Sequence, residues 1–118
     1  MSQKVQCYVR PFRRRWGLSQ QEVASVIGGG GRNRVSRVER GLRQPDAREI
    51  LAYSLLFGAH EARVFPRLYD KLEERMMRGA YRLDQRLARL RSPAALRKRE
   101  LLDKLRARVM KRRNPRNV

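Results

Sequence analysis

The chain has 118 residues, 30 of them Lys or Arg against 11 Asp or Glu, which leaves a formal charge of +19 at pH 7. So large a charge on so short a chain calls for a polyanionic partner, nucleic acid first and an anionic membrane surface second. The length allows one compact domain of about 60–80 residues plus an appendage. A lone cysteine, Cys7, excludes an intramolecular disulfide, and no apolar targeting segment or run of about 18 apolar residues is present, so a soluble cytoplasmic protein without a membrane partner is expected.

In chain order, Val9, Phe12 and Trp16 recur at helical spacing and Pro11 is tolerated only in a first turn, which predicts a short helix from Tyr8 to Trp16. Gly17 ends it. Ser19 with Glu22 three residues on is a capping-box pattern and opens a second helix that runs to Ile27 and buries Val23, Ala24 and Ile27. Gly28, Gly29, Gly30 and Gly31 make a turn, since each would cost about 1 kcal/mol relative to alanine inside a helix. In the third helix Val35 and Val38 face inward, leaving Arg32, Asn33, Arg34, Ser36, Arg37 and Arg40 for the outer face; Gly31 and Asn33 are both candidates for its N-cap. Gly41 stops it. Asp46 caps a fourth helix bearing Ile50, Leu51, Ser54, Leu55 and Phe57 and ending at Gly58, and a short helix from His60 to Phe65 closes the bundle.

Pro66 opens a longer helix. Along it Tyr69, Met76, Leu83 and Leu90 recur every seven residues, with Leu72, Ala80 and Leu87 beside them, a coiled-coil-like stripe. Ser92-Pro93 starts another helix, with Leu96, Leu101, Leu102, Leu105 and Val109 on its apolar face, so the two form a helical hairpin. These stripes pack on each other, on the core, or on a second subunit, and a homodimer is the favoured expectation. Charge is concentrated here: residues 78–118 hold 15 Lys+Arg and 3 Asp+Glu, and the run from Lys111 to Arg116 reads as a frayed, phosphate-contacting tail. The expected fold is all-α, with a five-helix domain over residues 1–65, a basic amphipathic helical hairpin over 66–113 and a disordered tail over 114–118.

Catalysis finds little support. The glycine run lacks the following Gly-Lys-Ser/Thr and the preceding strand of a phosphate loop, the one histidine, His60, has no nucleophile beside it in sequence, and no metal-ligand spacing occurs. No enzyme activity, cofactor, metal or small-molecule ligand is expected.

Phe12-Arg13, Gly17-Leu18-Ser19-Gln20, Glu22-Val23-Ala24, Ile27-Gly28, the segment Val35-Ser36-Arg37-Val38-Glu39-Arg40-Gly41, Pro45 and the apolar helix ending at Gly58 together resemble the Cro-type, lambda-repressor-like helix-turn-helix family of bacterial and phage transcription regulators. The resemblance spans about residues 8 to 65. Between Gly28 and Val35 the chain departs from the commonest form by one extra residue. The resemblance implies a recognition helix in the major groove, with the preceding helix crossing the backbone.

On that basis Arg32, Asn33, Arg34, Ser36 and Arg37 are candidate base contacts, arginine matching the O6/N7 edge of guanine and asparagine the N6/N7 edge of adenine; Arg34 would read either a base or a phosphate. Gln20, Arg40, Arg43 and Gln44 are candidate phosphate contacts that set register. Arg13 and Glu39 are expected, by the same resemblance, to form an internal ion pair. The implied function is a sequence-specific double-stranded DNA-binding regulator, a repressor dimer on an inverted repeat, nucleoid-associated in the cytoplasm. The competing readings are an architectural or RNA-binding basic protein, and a DNA-binding antitoxin.

Overall fold

The computed structural model describes residues 7–114. Among them the elements are α1 (Val9–Arg15), α2 (Gln20–Ile27), α3 (Gly31–Glu39), α4 (Ala47–Phe57), α5 (Glu61–Val64), α6 (Pro66–Leu87) and α7 (Pro93–Arg113), with no strand. The chain divides into two compact units between Asp70 and Lys71. Of the tail expected over 114–118, only Asn114, the C-cap of α7, lies within the described residues.

In the first unit the helix starts are fixed by side chains. Ser19 Oγ accepts from the Glu22 amide at 3.0 Å while Glu22 accepts from the Ser19 amide at 2.8 Å, and Asp46 and Glu49 repeat this capping box on α4 at 2.9 Å in each direction. His60 caps α5 through Nδ1, which accepts from the Ala62 amide. Gly28 and Gly58 end α2 and α4 in the left-handed conformation that glycine adopts without a Cβ penalty.

The core gathers Val9, Val23, Val35, Val38, Tyr53, Phe57, Val64 and Phe65, with Phe12, Leu18, Ile27, Ile50 and Leu68 packed against them. Phe12 stacks on Phe57, and Phe65 meets Tyr53 edge-on. Cys7 is buried, its thiol donating to the Val38 carbonyl, and burial pushes its pKa up. Large apolar side chains of this unit face solvent, Trp16, Leu51 and Leu55 among them. Trp16 is the C-cap of α1; its amide still donates to the Phe12 carbonyl at 3.4 Å, but its side chain is 66% exposed. On α4 the inward face is set by Glu49, Tyr53 and Phe57 at four-residue intervals, so Leu51 and Leu55, two residues out of phase, face away and are 62% and 86% exposed.

The Tyr53 hydroxyl is buried and has no hydrogen-bond partner among the described residues. A buried unsatisfied polar group costs about 1–3 kcal/mol, so Tyr53→Phe is expected to raise the stability of this unit by about 1 kcal/mol. Native-state hydrogen exchange at the Val23 and Val38 amides would show it as stronger protection.

In the second unit α6 and α7 run antiparallel. Ala80 and Leu87 of α6 pack on Ala95 and Leu102 of α7, flanked by Leu83 and Leu105, and Ser92 caps α7 ahead of Pro93. The buried seam therefore follows Glu73, Ala80 and Leu87 against Ala95, Leu102 and Val109, a heptad series in each helix. This displaces the expected stripe: Met76 and Leu90 are 44% and 55% exposed, and on α7 Leu96 and Leu101 also face outward. The seam admits a glutamate because Arg112 and Arg113 both donate to Glu73, and the Arg112 bond above all holds its carboxyl below the usual carboxylate range. Asp84 is likewise held low, chiefly by Arg99 at 3.0 Å and then by Arg106.

Candidate nucleic-acid interface

α2 and α3 are joined by the glycine turn, and α3 buries Val35 and Val38. At 100° per residue the opposite face carries Asn33, Arg37 and Arg40, with Ser36 beside them. Asn33, Arg37 and Arg40 are exposed and Ser36 is half-buried. Among the described residues no acidic partner neutralises Arg37 or Arg40.

Both flanks of α3 are tied down by charge. On the α2 side, Glu39 accepts from Arg13 Nε at 2.6 Å and Nη2 at 3.1 Å, and Arg13 Nη1 donates to the Leu18 carbonyl at 2.9 Å. The two side chains retain 12% and 2% of their exposure. Hydrogen bonding to Glu39 raises the Arg13 pKa further, so the guanidinium stays charged. Gln20 Nε2 also donates to Glu39 at 3.1 Å, and its Oε1 accepts a long bond from Arg32. Arg13, Ser19, Gln20, Gln21 and Arg32 line an open recess of about 330 Å³ at the N-terminus of α2.

The α4 flank engages Arg34, one of the candidate base contacts. Its guanidinium donates through Nε and Nη2 to both oxygens of Glu49 and reaches Asp46 at 3.3 Å. Glu49 is 9% exposed, and the Arg34 bonds hold its carboxyl below the usual carboxylate range. Arg34 therefore turns toward the start of α4 and does not stand among the outward residues of α3. Gly30 makes that path available: a Cβ there would come within 2.2 Å of Arg34 Cδ. Gly30, at φ +76°, is also the N-cap of α3, so neither Gly31 nor Asn33 caps it.

Arg43 and Gln44 follow α3 in an exposed loop. Arg43 shares a second recess, of about 290 Å³, with the glycine turn, Arg34, Arg48 and Glu49. Arg48, exposed at the start of α4, is a cation the sequence reading passed over; its signal is adjacency to the Asp46 cap. Sequence reasoning also missed Glu49 as the partner of Arg34, since a contact fifteen residues away has no local signature.

Among the described residues no helix is long and apolar enough to cross a membrane, and no cluster of His, Cys, Asp and Glu is placed to hold a metal ion. No curated protein and no solved structure matches the chain. Residues 12–63 match the helix-turn-helix family model, a span that begins in α1 and ends in α5 and so takes in both tethers of α3. This stretch is thus a helix-turn-helix domain of the Cro/C1 type, the kind of domain by which transcription regulators bind DNA.

Proposed function

We propose that the protein is a sequence-specific reader of double-stranded DNA and acts as a repressor, occupying an inverted-repeat operator as a homodimer. The observation that carries this reading is the outward face of α3: Asn33, Ser36 and Arg37 stand opposite Val35 and Val38, on a helix whose flanks are held by Arg13–Glu39 and Arg34–Glu49. A reading helix must present its side chains in fixed register, because the donor and acceptor patterns of the major groove are spaced by the duplex. Arg37 and Asn33 are the primary base contacts, with Arg32 and Ser36 at their edge. The recess at the start of α2 seats a backbone phosphate against Arg32 and the first-turn amides of Gln20 and Gln21. Arg40, Arg43 and Gln44 hold phosphates beyond the C-terminal end of α3.

Dimerisation is supported by apolar side chains that the hairpin leaves open. Leu72 and Met76 are about half exposed along the flank of α6 that also carries Leu83, Leu90 is 55% exposed in the loop past its end, and Leu101 of α7 lies in phase with Leu105. A second copy would cover them, and paired reading heads on half-sites one helical turn apart gain affinity and specificity together.

Arg37→Ala tests the role of α3. It is expected to cost about 1–3 kcal/mol on a preferred duplex and to relax selectivity at the contacted base, whereas Arg43→Ala weakens preferred and unrelated duplexes alike. Fluorescence anisotropy on both duplexes separates these outcomes. Equal weakening on both by Arg37→Ala would move Arg37 to the phosphate-contacting set.

A further inference from the structure

The second unit carries a feature that the reading head does not use. Lys71, Arg75, Arg78, Arg82 and Arg86 follow one another along α6 at steps of four, three, four and four residues, and all are exposed. At 100° per residue they fall within an arc of about 80°. That arc is centred opposite the seam residues Glu73, Ala80 and Leu87. At about 1.5 Å per residue the row is about 22 Å long.

The acids of this unit do not neutralise the row. Glu73 is taken by Arg112 and Arg113, and Asp84 by Arg99 and Arg106, so two of the carboxylates on α6 spend their charge on α7. Glu74 lies about 40° outside the arc, three residues from Lys71 and four from Arg78, and offsets at most one of the five charges. α7 has an outward row of its own, Arg97, Lys104, Arg108 and Lys111, but Glu100 stands 3.6 Å from Lys104 within it.

We propose that the outer face of α6 is a second duplex-DNA surface, which grips the phosphate backbone without reading bases and extends the contact beyond the operator half-site. Duplex DNA of the same length carries about 13 phosphate charges, at one per ~1.7 Å of axis. Arginine, four of the five residues here, matches phosphate bidentately. An anionic membrane is the poorer fit, because a helix lying on a bilayer inserts an apolar face, and the face of α6 opposite the row is covered by α7.

The inference rests on the proposed DNA-binding function for the identity of its partner, and the two are tested separately. The full-length protein and the triple variant R78Q/R82Q/R86Q are titrated with a 30-base-pair duplex of arbitrary sequence between about 50 and 200 mM salt. Losing three phosphate contacts makes the slope of log K against log salt shallower by about 2.7, with affinity at 100 mM falling on the order of 10²-fold. R97Q/K104Q/R108Q, on α7, is expected to change the slope by less than about 1. R78K/R82K/R86K, which keeps the charge, is expected to keep the slope.

An unchanged slope in the first variant overturns the proposal. So does an equal change in the α7 variant, which makes the effect one of net charge, or a lost slope in the lysine variant, which makes it one of folding. Tighter row-dependent binding to single-stranded RNA overturns the choice of partner. The ratio of affinities for preferred and arbitrary duplexes stays constant in R78Q/R82Q/R86Q and collapses in Arg37→Ala. A row-dependent slope without any sequence preference therefore sinks the repressor reading alone, and a preference without a row effect sinks the second surface alone.

Discussion

Arg13→Ala is expected to destabilise the first unit by about 3–5 kcal/mol, the cost of removing one partner from a buried ion pair. The loss strands Glu39, whose side chain is 2% exposed, with only the Gln20 amide to replace two guanidinium bonds. It also releases the Leu18 carbonyl that Arg13 holds at 2.9 Å. Glu39→Ala should fall at the lower end of the range, because the Arg13 side chain keeps 12% of its exposure and retains the bond to Leu18. Replacing both residues by methionine is expected to recover much of the loss, since the penalty comes from an uncompensated buried charge. Hydrogen exchange at the Val23 and Val38 amides reads this unit by itself. A loss below about 1 kcal/mol for Arg13→Ala would place the pair among surface ion pairs, contrary to its burial.

The second large effect is expected in the glycine turn, where adjacent residues of one type have different work. Gly29→Ala meets nothing within 4 Å and is not in the left-handed region, so it is expected to be close to neutral. Gly31→Ala also meets open space, but at φ +67° an alanine carries the left-handed penalty of about 1–2 kcal/mol. Gly30→Ala combines that penalty at φ +76° with a Cβ lying 2.2 Å from Arg34 Cδ and 2.9 Å from Arg34 Cβ. The close atoms include the root of the side chain, which cannot swing aside while the guanidinium stays on Glu49. The expected cost is about 2–4 kcal/mol, strain and overpacking together. Because the same movement frees one flank of α3, sequence preference should decline in Gly30→Ala and persist in Gly31→Ala. Equal costs at Gly30 and Gly31 would show that Arg34 is not confined as described.

The contrast between these glycines marks where the sequence was legible. Ser19 with Glu22, Asp46, Ser92-Pro93, and the stops at Gly17, Gly28, Gly41 and Gly58 are local signals, and helix ends read from them agree with the structure to within a residue or two. Val35 and Val38 were legible as an inward pair because α3 is short and its remaining residues are polar. The start of α3 was not. A run of glycines offers no capping side chain, and its register is fixed by Arg34 reaching an acid on another helix. Hydrophobicity alone does not say that Tyr53, between Leu51 and Leu55 in sequence, sets the inward face of α4. The hairpin seam was hidden for a related reason. One of its heptad positions is Glu73, and a carboxylate there makes sense only once Arg112 and Arg113 are seen to meet it. The same pairing exposes the cationic row on α6, which in sequence is dispersed among the other basic residues of the unit.

The most direct test of the central claim is selection of the full-length protein against a random duplex library near physiological salt, where backbone binding is suppressed enough for base readout to dominate. The expected result is an enriched inverted repeat whose half-sites lie about one helical turn apart. Tight binding at low salt with no enriched sequence would contradict it, and would leave the protein a basic backbone binder with a helix-turn-helix scaffold that does not read.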